Sequence, residues 1–159
     1  MKSSIILLLL LVGTISGVQA QDLYKRLKEN LPRKIGELEM LEPPETFQNG
    51  SETHLNANYS GDLDTYLNIT FSVYSSSIIQ RFKTDLENAP SSFTDGNMES
   101  ESFTTDERMG QLTLMKDQPR YEVTVVDDQL NILVLFAGAG IEEKEKIMEL
   151  VNTVLVEVK

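Results

Sequence analysis

Apolar and polar side chains alternate most cleanly between Leu55 and Val73. Leu55, Ala57 and Tyr59 occupy every second position, "GDLD" at Gly61 to Asp64 supplies a turn, and Leu67, Ile69, Phe71 and Val73 resume the alternation. A period of two sends these side chains to one face of a strand pair, so the segment reads as a hairpin with one apolar and one polar face. Ser75 to Ser77 then offer helix caps, with Ser77 and Gln80 spaced as a capping box. Ile78, Ile79, Phe82 and Leu86 follow at helical spacing and predict a helix that stops before Pro90.

The same two signals recur further along. Gln111 to Lys116, Arg120 to Val126 and Leu130 to Phe136 read as strands joined by the tight turns "DQP" and "DDQ", an antiparallel meander. Ile147, Leu150, Val151, Val154 and Val158 fall on one face of a predicted helix over Ile141 to Val158, with Glu142, Lys146, Glu149 and Asn152 opposite. Near the start, Asp22 caps a predicted helix through Leu23, Leu27 and Leu31 that Pro32 ends. Glu37 to Glu42 alternates as a short edge strand before Pro43 and Pro44. These elements predict an α+β domain: an antiparallel sheet of about six strands in two β-β-β-α halves, with helices packed on the sheet. Between the halves, residues 89–107 are rich in Ser, Thr, Asp and Glu without periodicity and read as a long acidic loop, the place to look for a site.

The first residues, MKSSIILLLLLVGTISGVQA, add a destination. One lysine, an apolar run too short to span a bilayer, and small residues at Val18 and Ala20 have the layout of a secretory signal peptide over residues 1–20. Cleavage after Ala20 leaves a single domain of 139 residues over 21–159 and no membrane insertion afterwards. The chain has no cysteine, which removes disulfides, thiol catalysis and a lipoprotein anchor, and favours a periplasmic or secreted bacterial protein. All 25 acidic residues lie beyond the signal while Lys2 leaves with it, so 13 cations face 25 acids for a net charge of −12. Nucleic acid is therefore a poor partner.

Candidate chemistry is sparse. "LFAGAGIEEKEK", Leu135 to Lys146, invites comparison with nucleotide-binding loops. The dinucleotide pattern needs a third glycine where Glu143 stands, and the phosphate loop needs glycine at Glu143 and Ser or Thr at Glu145. Glu142 and Glu143 at a helix start would also repel an anion, so Gly138 and Gly140 read as a strand-to-helix turn. His54 is the only histidine and reads as an exposed strand residue, without a G-x-S-x-G elbow to serve as nucleophile partner. The carboxylate pairs Asp62/Asp64 and Asp127/Asp128 fall in predicted turns, and the chain has no tryptophan to build a sugar platform. Asp95, Asn97, Glu99 and Glu101 alternate around a glycine in the 89–107 loop and are the weak candidates for a metal, although their order is not that of an EF-hand. Asn49, Asn58 and Asn68 begin N-x-S/T glycosylation patterns.

Taken together, "LPRKIGELEM" at Leu31 to Met40, "LNANYS", "YLNITFSVYS" and the ending "YEVTVVDDQLNILVLFAGAGIEEKEKIMELVNTV" resemble the PsbP-like proteins. These are small exported bacterial proteins with an α/β/α sandwich on an antiparallel sheet. The resemblance implies a fold and no particular activity. The expected function is a non-catalytic exported domain, with no cofactor, that binds another envelope or secreted protein. The alternative is a small-ligand or cation-binding module using the 89–107 loop.

Overall fold

The computed structural model describes residues 20–50, 52–105, 108–118 and 120–157. Helix α1 covers residues 20–30. After it come strands β1 (Lys34–Ile35), β2 (Leu38–Met40), β3 (Glu45–Asn49), β4 (Glu52–Ser60) and β5 (Tyr66–Val73), then helix α2 (Ser76–Asn88). Strands β6 (Ser92–Asp95), β7 (Met98–Thr105), β8 (Arg108–Met115), β9 (Arg120–Asp127) and β10 (Ile132–Ala139) lead into helix α3 (Lys144–Glu157). The signal segment lies outside the described residues, apart from Ala20.

All ten strands join one antiparallel sheet, in the order β1-β2-β4-β5-β10-β9-β8-β7-β6, with β3 paired to β4 beside β2. The described residues are thus mostly sheet with three helices, and the expected α+β domain of about six strands in two β-β-β-α halves is overturned. The extra strands come from segments whose sequence carries no apolar alternation. β3 and β6 are exposed at every residue, and they exist because a neighbouring strand pairs with them. The 89–107 segment, expected as a loop, is mainly the hairpin of β6 and β7, turned at Gly96, whose φ of +52° suits glycine.

The core occupies one face. Leu55, Ala57 and Tyr59 of β4, Leu67, Ile69 and Phe71 of β5, Ile132, Val134 and Phe136 of β10 and Val123 and Val125 of β9 form one buried cluster. Tyr24, Leu27 and Leu31 join it from α1 and its end, and Ile147, Leu150, Val151, Val154 and Leu155 from α3. The registers Leu55↔Phe71 and Val134↔Val125 keep these side chains together, since a slip of one residue would turn them all to the other face. Two polar features lock this face. Tyr24 Oη donates to the Thr53 carbonyl and accepts from the Val73 amide at 3.1 Å, standing between the ends of β4 and β5. Arg108 Nε donates to Asp127 Oδ2 at 2.6 Å and its guanidinium also donates to the Leu155 carbonyl near the end of α3 at 2.9 Å.

The opposite face is partly open. Helix α2 contacts β8 and β9, and its one buried residue, Ile79, lies outside the main cluster, as does Val126 of β9. Ser75 precedes the helix without a side-chain cap, so the expected Ser77/Gln80 capping box does not form. Over β4 and β5 this face is polar: Asn68 Nδ2 donates to Asn56 Oδ1 and to Asn58 Oδ1, both at 2.7 Å.

Candidate functional site

The weak metal candidates do not converge. The chain reverses at the β6–β7 turn, so Asp95 pairs with Met98 while Glu99 and Glu101 alternate to the other face of β7. Glu99 is held by Lys116 at 2.5 Å and Glu101 by Lys144, so both charges are already compensated. Asp95 and Asn97 instead border a shallow pocket of about 380 Å³ with Met98, Met115 and Arg120. Among the described residues no group of three or more histidines or carboxylates is arranged to hold a metal ion.

The glycine loop is a packing device. Gly138 lies within β10, where an added Cβ would meet Ile141 and Ile147 side chains at 3.0 Å, and only Gly140, at φ +69°, belongs to the turn expected of both. Gly140 abuts the backbone of Asp64 in the β4–β5 loop, with 2.9 Å from its would-be Cβ to the Asp64 carbonyl. β10 runs antiparallel to both β5 and β9, which removes the parallel βαβ setting of nucleotide loops.

His54 is buried, not exposed as its strand position suggested, because Phe47 of β3 packs its ring 5.1 Å from the imidazole. His54 Nδ1 is 2.8 Å from Ser72 Oγ, directly opposite on β5, and Nε2 is 3.7 Å from Glu52 Oε2. Tyr74 Oη donates to the same carboxylate at 3.3 Å, and burial together with that negative charge holds the Tyr74 phenol above its ordinary pKa. Carboxylate, imidazole and hydroxyl are thus in line, a juxtaposition no sequence spacing could announce. Ser72 keeps only 7 % of its surface, so its hydroxyl ties two strands together and is not presented to a substrate.

The edge of the sheet offers more. A groove of about 580 Å³ runs between α1 and β3, lined by Gln21, Tyr24, Lys25 and Lys28 on the helix and Thr46, Phe47 and Gln48 on the strand. Which backbone groups β3 turns into it follows from two contacts. The Asn58 carbonyl accepts the Leu41 amide, so Asn58 and, two and four residues back, Asn56 and His54 direct their backbone towards β2 and β3. Thr53 instead directs its carbonyl to Tyr24 at the β5 side. In the register Glu45↔Asn56, Phe47↔His54 and Asn49↔Glu52, these β3 residues therefore spend their hydrogen bonds on β4. Thr46 and Gln48 turn N–H and C=O outward, where no strand of the described residues pairs with them.

Sequence reasoning missed this site because β3 has no alternation to reveal it. The signals present were the pair of prolines at 43 and 44, which divides the strands beside β4, and the run of cations on α1. The glycosylation patterns are divided: Asn49 ends β3 and is exposed, while Asn58 and Asn68 bond to one another on the open sheet face.

No family model matches the chain, and no curated protein or solved structure does either. Among the described residues no helix is long and apolar enough to cross a membrane.

Proposed function

We propose that this chain is an exported, non-catalytic domain that binds another envelope or secreted protein, and that it does so at the free edge of β3. The observation that carries the reading is a five-residue strand exposed throughout, with outward backbone groups at Thr46 and Gln48 beside a groove large enough for an extended segment. Unpaired strand edges are templates for further strands, and natural sheets usually blunt them with short length, charge or twist. The other ends of this sheet are blunted: β1 has two residues and β6 four, ending on Asp95. β3 has only Glu45 as a charge, at its first residue. The leader-like start supports export.

The test places a photo-cross-linking amino acid at Gln48, and as control at the remote exposed Val156, in the chain expressed in its native cells. One recurrent exported protein captured from Gln48 and not from Val156 supports the reading. Equal capture from both, or none, overturns it. Ester or peptide hydrolysis by the purified chain that disappears on His54→Ala would overturn the non-catalytic part.

A further inference from the structure

We infer that the occupant of the α1–β3 groove is an extended acidic segment of the partner, which adds a strand to β3 and sets its carboxylates against Lys25 and Lys28. This rests on the protein-binding reading above and names the chemistry of the partner.

The charge distribution carries the argument. In a chain with 25 acids, cations are scarce, and from Lys83 to Lys146 every described lysine and arginine sits in an ion pair. Among the described residues Lys25 and Lys28 have no carboxylate partner, and neither has Arg26 beside them; Arg33 and Arg81 are likewise without one but lie away from this groove. Both lysines are exposed, stand three residues apart on one side of α1, and line the groove. The helix is held in place from below, by Tyr24 and Leu27 in the core and by the Tyr24 hydroxyl on β4 and β5, so the two ammonium groups are displayed on a fixed support. Helix α1 thus offers positive charge along one side of the slot, and β3 offers main-chain donors and acceptors along the other.

The side chains of Thr46 and Gln48 fall on the α1 side of the sheet, since their register partners are Leu55 and Thr53 and Leu55 belongs to the core face. A strand added to β3 would alternate in the same way. Every second side chain would point to the α1 side, within reach of the lysines, and the remainder to the side of Phe47, an exposed aromatic. The pattern this selects is an acidic residue alternating with an apolar one. Backbone bonds supply sequence-independent affinity, and the lysines decide the sign of charge accepted.

The experiment uses the purified chain and two fluorescein-labelled hexapeptides, one alternating glutamate with valine and one alternating lysine with valine, read by anisotropy at low and moderate salt. The glutamate peptide is expected to bind, the lysine peptide not, and the affinity to fall with salt. The double variant Lys25→Glu and Lys28→Glu alters only exposed positions and is expected to weaken the glutamate peptide by about tenfold or more and to favour the lysine peptide. Thr46→Pro removes an outward N–H from an edge position that tolerates proline, and is expected to abolish binding of either peptide while leaving the melting temperature near wild type. Glutamate-peptide affinity indifferent to the charge reversal, or no binding at all, overturns the acidic occupant. If cross-linking from Gln48 still captures one recurrent protein in that case, protein binding stands and only its partner chemistry fails. A concentration-dependent dimer dissolved by Thr46→Pro would overturn the inference in favour of a second copy of this chain.

Discussion

The two faces of the sheet share strands but not chemistry. Beneath α1 and α3, the side chains that β4, β5, β10 and β9 turn to the helices are mostly buried and apolar, with Asp127 a buried charge at the end of β9. On the reverse, the same strands present Asn56, Asn58, Asn68, Thr70 and Thr124, with Leu133 and Leu135 only partly covered. The difference teaches where the fold is specified. The covered face sets register, because a slip costs the whole core, while the open face must only remain hydrated and hold its partners loosely. A sharper form of the same comparison separates strands in the middle of the sheet, which need an apolar face, from β3 and β6, which are exposed at every residue and persist mainly by pairing, while β7 adds only Phe103 against the edge of the core.

The largest effect should follow from emptying the covered face. Phe136 is fully buried in β10, so Phe136→Ala would leave a cavity in the core and is expected to lower the unfolding free energy by about 3–5 kcal/mol in urea denaturation. Its chain neighbour Leu135 points to the open face and remains 37 % exposed, and Leu135→Ala should cost less than about 1 kcal/mol. Similar losses at both positions would break the comparison.

Arg108 and Asp127 come next. Their ion pair is buried under the end of α3, and Asp127 Oδ1 also accepts the backbone amides of Gln129 and Leu130 at 3.0 and 2.9 Å. Arg108→Met leaves that carboxylate buried without its cation and should cost about 3–5 kcal/mol, whereas adding Asp127→Asn to it should recover part of the loss. The check is again denaturant unfolding, read as a double-mutant cycle.

The tyrosines give the covered face a pH dependence. Tyr24→Phe strands the Thr53 carbonyl and the Val73 amide and should cost about 1–3 kcal/mol, with faster hydrogen exchange at Val73. Burial raises the phenol pKa of Tyr24 and raises that of Tyr59 furthest, above the ordinary 10.0, and Tyr59 Oη donates to the Pro32 carbonyl at 2.8 Å. A raised folded pKa means that the fold favours the neutral phenol. Its contribution is complete below pH 10 and lost as pH rises towards the folded value. Thermal stability should therefore fall at strongly alkaline pH, and Tyr59→Phe should flatten that decline.

Much of this division could be read in the residues themselves. The β4–β5 hairpin, the three strands from β8 to β10 and all three helices announce themselves by period, since each has a face committed to the core. β3, β6 and β7 were illegible because "ETFQN", "SFTD" and "MESESFTT" gain their stability from a partner strand, a non-local property. The burial of His54 was hidden for the same reason, since Phe47 belongs to one of those unread strands. Asp95 and Glu101 shared a parity in sequence, but the reversal at Gly96 put them on different faces. The groove depended on two unseen facts at once, a strand at β3 and the seat of α1 beside it.

The smallest expected effect tests how firmly the open face is closed at its far end. Helix α2 is anchored there by Ile79 and by Lys83, whose Nζ lies 2.6 Å from Asp128 Oδ2. The hydrogen bond from Lys83 holds the Asp128 carboxyl below its ordinary range, and the same bond raises the lysine. For the carboxyl, a depressed folded pKa means stabilisation that is present above 3.8 and disappears as pH falls through the folded value. For the lysine it disappears as pH rises above 10.5. Because both side chains still reach solvent and the pair lies outside the core cluster, Asp128→Asn should leave the global unfolding midpoint nearly unchanged. It should instead speed hydrogen exchange along α2, with little change in α3. Equal acceleration in both helices would mean that α2 belongs to the same cooperative unit as the core, and that the two faces differ in polarity but not in stability.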